Sequence, residues 1–88
     1  MNELATTDAA KALVHPLRAK ILESLAGREA SPLDLARELN DKLGNVSYHV
    51  RALHQLGAVR LVRTAQVRGA LAHYYTATYK LRVVQKPI

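Results

Sequence analysis

Within the stretch SPLDLARELNDKLGNVSYHVRALHQLG, Ser31 to Gly57, the side chains with the most chemistry to offer are those of Asn45, Ser47, Tyr48, Arg51 and Gln55. If residues 43–56 form a helix, steps of about 100° gather Val46, Val50, Leu53 and Leu56 on one side. Gly44, Ser47, Tyr48, Arg51 and Gln55 then share the opposite side. That second face is polar, hydrogen-bonding and basic, with no carboxylate to repel phosphate. Such groups suit base edges and phosphate oxygens better than bond-breaking chemistry.

Catalytic and metal-binding patterns find no support. The absence of Cys removes disulfides, thiolate metal sites and cysteine nucleophiles. The acids are scattered without a paired arrangement, and no glycine-rich phosphate loop or nucleophile elbow occurs. His49 and His54 are separated by about 140° of helix, so they do not form the one-turn pair that chelates a metal. His15 and His73 have no nearby ligand pattern. No enzyme activity, metal or cofactor is therefore expected. His49, on the flank of the apolar stripe, is expected to serve a core or interhelical hydrogen bond.

The net charge of +6 is unevenly placed. Five of the 13 Lys and Arg residues and all 7 acids precede Lys42; the other bases run from Lys42 onward, with no acid among them. A basic half of this kind attracts a polyanion, because each neutralised phosphate releases condensed counterions. Nucleic acid is the first partner to consider, ahead of an acidic protein or membrane surface. The opening residues lack the basic start and apolar run of a secretory signal, and no stretch approaches the roughly 18 apolar residues of a membrane helix. A cytoplasmic location without membrane association is expected.

The 88 residues suffice for one domain with an aliphatic core, since Trp and Phe are absent. Thr7-Asp8 is a plausible helix start, carrying Ala10, Leu13 and Val14 on one face. His15-Pro16 interrupts, and Pro16 suits the first turn of a new helix to about Ala26, with Leu17, Ile21, Leu22 and Leu25 as its apolar stripe. Gly27 ends it, and Arg28-Glu29-Ala30 can supply a stub of strand. Ser31-Pro32-Leu33-Asp34 reads as a capping box opening a helix from Pro32 to Leu39, with Leu35, Ala36 and Leu39 inward. Asn40-Asp41 suits a helix stop and turn.

Beyond Gly57 the period changes. Ala58 to Thr64 sets Val59 and Leu61 against Arg60, and Leu71 to Thr78 is rich in strand formers. Residues 65–70, with Gly69 as a bend, would form the basic tip of an antiparallel hairpin. Tyr74 and Tyr75 fall on opposite strand faces, one expected under the hairpin and the other exposed. Residues 79–88 are expected to be an extended or frayed tail.

Helices followed by a hairpin make a winged helix, and the wording of the chain narrows the class. ALVHPLRAKILESL, SPLDLARELN, GNVSYHVRALHQLGAVRLVR and RGALAHYYTAT, in that order, resemble the ArsR-like winged-helix transcriptional regulators of bacteria and archaea over residues 9–79. The resemblance implies a mostly α domain with a small antiparallel β-hairpin: about four helices and a two- to three-stranded wing. Residues 31–57 would be the helix-turn-helix, 58–78 the wing and 79–88 the tail of a single domain spanning 1–88.

It also implies sequence-specific binding of double-stranded DNA, commonly as a homodimer, to repress or otherwise control transcription. Carried over by position, helix 43–56 enters the major groove with Asn45, Ser47, Tyr48 and Arg51 nearest the bases. Gln66 and Arg68 at the wing tip reach the backbone or minor groove, and Lys42 meets phosphate. Individual roles stay open. Arg51 can pair with guanine or contact phosphate, Asn45 can read a base or cap the helix, and Tyr48 can touch DNA or pack. Metal-sensing members carry cysteines where Leu33 to Leu39 stand here, so metal sensing by that route is not expected. The alternative is a winged-helix interaction module for an acidic protein partner.

Overall fold

The computed structural model describes residues 15–78. The helix expected from Thr7 and the expected tail lie outside the described residues. Among the described residues three helices come first, α1 (Pro16–Ser24), α2 (Pro32–Leu39) and α3 (Leu43–Gln55), followed by strands β1 (Val59–Val67) and β2 (Ala70–Ala77), which pair as an antiparallel hairpin.

Each helix starts for a local reason. His15 is extended and its Nδ1 accepts the Leu17 N–H at 3.1 Å, while Pro16 occupies the first turn, where an N–H would have no helical partner. α1 stops at Ser24 rather than near Ala26. Leu25 leaves helical geometry, and its carbonyl is taken by the Ala77 N–H at 3.1 Å and the Thr76 hydroxyl at 3.1 Å. Docking onto β2 thus supplies the partner that another helical turn would have supplied.

The Ser31–Asp34 capping box forms in both directions, each bond 3.1 Å long. α2 ends at Asn40, which adopts the left-handed conformation, and the Asp41 N–H closes back on the Ala36 carbonyl at 2.9 Å. The turn into α3 is consequently fixed at both ends.

Leu17, Ile21, Leu22 and Leu25 of the first helical segment meet Leu35 and Ala36 of α2 and Val46, Val50 and Leu53 of α3 in one buried cluster, closed by Ala58 and Val59. Leu39 and Tyr75 pack against it partly buried. Truncating a fully enclosed leucine such as Leu53 to Ala in a core of this kind costs about 2–5 kcal/mol.

The hairpin departs from expectation in three ways. First, the strands run on through residues 65–67, so the connection is only Arg68-Gly69, with φ of 54° and 82°. Two consecutive positive φ angles make the mirror-image turn whose twist matches that of paired strands. Second, Leu61 faces Tyr75 and Arg63 faces Tyr74, which leaves Val62 as a bulge. Third, Leu61 is 41% exposed although alternation groups it with buried Val59. Beyond its base the ribbon projects from the core and has nothing to cover that side chain. Ala30 forms the anticipated strand stub as a single bridge, exchanging two backbone hydrogen bonds of 3.0 and 2.9 Å with Tyr75.

Both tyrosines are half-buried, which corrects the expectation of one inside and one out. Tyr75 sits against the core and its ring meets His54 edge-on at 5.7 Å. Tyr74 is covered by Arg63, whose guanidinium carbon lies 4.1 Å over the ring centroid.

Candidate nucleic-acid interface

Burial of Val46, His49, Val50 and Leu53 against the other helices decides which side of α3 faces solvent. Gly44, Asn45, Tyr48, Arg51 and Gln55 are exposed and Ser47 is half-buried. Tyr48 is 60% exposed, its ring meeting His49 only edge-on at 5.0 Å. Packing is therefore a minor part of its surroundings. Lys42 is the exposed N-cap residue of α3 and makes no side-chain cap bond.

Gly44, Ser47, Tyr48, Arg51 and Gln55 share one side of α3, with Asn45 on its flank and Lys42 ahead of the first turn, but only some of them meet the wing. Ser47 and Arg51 line a groove of about 670 Å³ between α3, the start of α2 and the hairpin, and Arg68 lines it from the wing. Gln66 is exposed on β1 opposite Leu71 and is not part of the groove wall. Arg37 of α2, His54 of α3 and His73 of β2 also line it, and sequence reasoning missed all three. His54 carried a readable signal, because Ser47, Arg51 and His54 stand at the i, i+4, i+7 spacing of one helix strip. Arg37 and His73 carried none, since only the tertiary fold brings α2 and β2 to that strip.

The charge pattern is sharper than the composition suggests. Arg63 is neutralised within the protein, donating from Nε to Glu29 at 2.7 Å while stacked on Tyr74. On the far side Arg28 grips Glu38 with two bonds of 3.0 Å, and the guanidinium holds the Glu38 carboxyl below its ordinary pKa. Among the described residues neither Arg51 nor Arg68 is joined to an acid. The groove thus keeps its cations available while the base of the wing is pinned.

Two acids border this surface: Asp34 lines the groove from α2, and Asp41 stands just ahead of α3. Asp41 Oδ1 accepts from the Lys42 N–H at 2.7 Å and from Asn45 Nδ2 at 3.1 Å. These bonds, the amide of Asn45 foremost, hold its carboxyl below the usual range, helped by the charges of Lys20 and Lys42. Sequence reading treats Asp41 as a turn former only.

Behind the face, Arg18 Nε donates to His49 Nδ1 at 3.0 Å, and the His15 ring lies 4.3 Å from that of His49, tilted by 39°. Burial foremost, then the adjacent His15 and Arg18, lowers the His49 pKa, opposed by Asp41. This is the expected interhelical hydrogen bond. Among the described residues no group of three or more His, Cys, Asp or Glu is placed to hold a metal ion.

Among the described residues, three helices with the last two joined by a tight turn, followed by a hairpin, define a winged helix-turn-helix fold. Residues 13–62 match the helix-turn-helix domain family, and the chain belongs to it. Among solved structures, the chain is similar to HlyU from Vibrio cholerae, with 22% identity, a TM-score of 0.69, and coverage of 91% of this chain and 82% of that one. It is equally similar to NolR from Sinorhizobium fredii, with 22% identity, a TM-score of 0.69, and coverage of 94% and 79% respectively. At this identity the likeness establishes the fold. No curated protein matches the chain. Family membership supports DNA-binding transcription regulation, and points to a regulator rather than an enzyme. Among the described residues no helix is long and apolar enough to cross a membrane.

Proposed function

We propose that the protein is an ArsR-like cytoplasmic regulator that binds specific double-stranded DNA sequences as a homodimer and represses transcription. α3 enters the major groove, where Asn45, Ser47, Tyr48 and Arg51 meet base edges. Arg68 at the wing turn and Lys42 ahead of α3 contact phosphate, with Gly44, Gln55 and Gln66 at the margins. The observation that carries this reading is the exposed face of α3 beside a groove that Arg51 and Arg68 line from opposite elements. A strand of DNA backbone passing between recognition helix and wing meets cations on both sides.

A second reading has its own support. Leu43 and Leu71, 47% and 54% exposed, line the same groove, and exposed leucines suit a protein partner. Selection of bound duplexes from a random DNA pool separates the two. An enriched motif, arranged as two half-sites for the dimer, is expected; no enrichment overturns the DNA reading and favours an interaction module for an acidic protein.

A further inference from the structure

Asn45 is the third residue of α3, in the part of a recognition helix that lies closest to base edges. An amide there is informative only if its oxygen and nitrogen are held in a known orientation. Free rotation would let the same side chain present a donor or an acceptor to the same position. In this protein the ambiguity is removed by Asp41. A charged carboxylate only accepts, so the nitrogen of Asn45 must face it, as the 3.1 Å contact from Nδ2 to Asp41 Oδ1 records.

Asp41 is itself held in place. Its N–H is bonded to the Ala36 carbonyl at 2.9 Å, Asn40 before it is locked in the left-handed region, and the same Oδ1 accepts the Lys42 N–H at 2.7 Å. The carboxylate is therefore a fixed post between α2 and α3. An amide nitrogen has two hydrogens. With one given to Asp41, the other remains beside Oδ1, and together they form the adjacent donor and acceptor that match N7 and N6–H of adenine.

We propose that Asp41 is a positioning residue for base reading, which pins the Asn45 amide so that it selects adenine at one position of each half-site. This rests on the DNA-binding reading above. The carboxylate has a second effect. Standing next to the DNA-facing surface, it subtracts from attraction to phosphate of any sequence, and so widens the gap between specific and non-specific binding.

The test is selection from random duplex DNA, followed by affinity measurement on the selected duplex and on single-position variants. The proteins compared are wild type, Asp41→Ala, Asp41→Asn, Asn45→Ala and the Asp41→Ala/Asn45→Ala double variant. Asn45→Ala should lose about tenfold of adenine preference at one position. Asp41→Ala should lose the same preference at the same position, with the others unchanged, and the double variant should lose no more than Asn45→Ala alone. Asp41→Asn keeps an accepting oxygen and should retain the preference while binding all duplexes more tightly.

Loss of preference at every position in Asp41→Ala, or at none, overturns the proposal. Should Asp41→Ala fail to fold by circular dichroism, Asn45→Ala still decides: an unchanged motif overturns it. Absence of any motif for the wild type overturns the DNA reading itself, and this inference with it.

Discussion

Arg18 and His49 are joined by a hydrogen bond in which the guanidinium Nε–H donates to the imidazole Nδ1 at 3.0 Å, directly behind the exposed face of α3. The bond requires an unprotonated Nδ1. A second proton on the ring would replace this attraction with repulsion from Arg18, beside His15 and with Asp41 as the opposing charge.

Stability should therefore fall with acidification. The His49 pKa is lowered in the folded protein from an ordinary value of 6.5, so the unfolded chain binds the proton first. The contribution is present above the unfolded value and is lost as pH falls through it toward the folded value. Thermal unfolding between about pH 7 and about pH 5 should show this, and His49→Gln, a neutral acceptor, should flatten the dependence. An identical slope in the variant would exclude His49 as its source.

The wing turn gives a different signature. Arg68 is exposed, lines the groove and has no acid partner among the described residues. Replacing it with Ala should weaken binding to selected and scrambled duplexes alike. The slope of log affinity against log salt should shrink by about 0.9, the share of one phosphate contact. A loss confined to the selected duplex would instead mark Arg68 as a base-reading residue.

Ser31 tests the strut under α3. Its hydroxyl accepts the Asp34 N–H at 3.1 Å and the residue is buried. Ser31→Ala should cost about 0.5–2 kcal/mol, the usual worth of an N-cap. Urea unfolding should show a lower midpoint with an unchanged slope. A midpoint equal to that of wild type would mean that the box contributes nothing net.

What could be read before folding follows the range of the interactions. The capping box, the left-handed Asn40 and most of the buried face of α3 depend on residues within a few positions, and the structure has them where periodicity and side-chain chemistry put them; Leu56, grouped with that face by period, is instead the half-buried C-cap, and His49 is buried there. Local pattern carries α1 to about Ala26, but the helix ends at Ser24 because Leu25 is claimed by Ala77 and Thr76, far along the chain. Residues 65–67 read locally as part of the wing tip, and they become strand only through pairing with β2.

The candidate site divides in the same way. The exposed row on α3 was legible from helical period, and so, in principle, was His54. Arg37 and His73 reach the groove by tertiary convergence. Asp41 was visible as a turn residue, but its hold on Asn45 needed the geometry of the turn.

The central claim is that α3 reads base edges through Tyr48 and Arg51. The most direct measurement is the affinity of wild type and the Tyr48→Ala/Arg51→Ala double variant for the selected duplex and a scrambled one at the same salt concentration. The double variant should keep its helical circular dichroism and its binding to the scrambled duplex while losing about tenfold or more of its preference for the selected one. Equal specific affinity in variant and wild type would contradict the assignment of α3 as the reading helix.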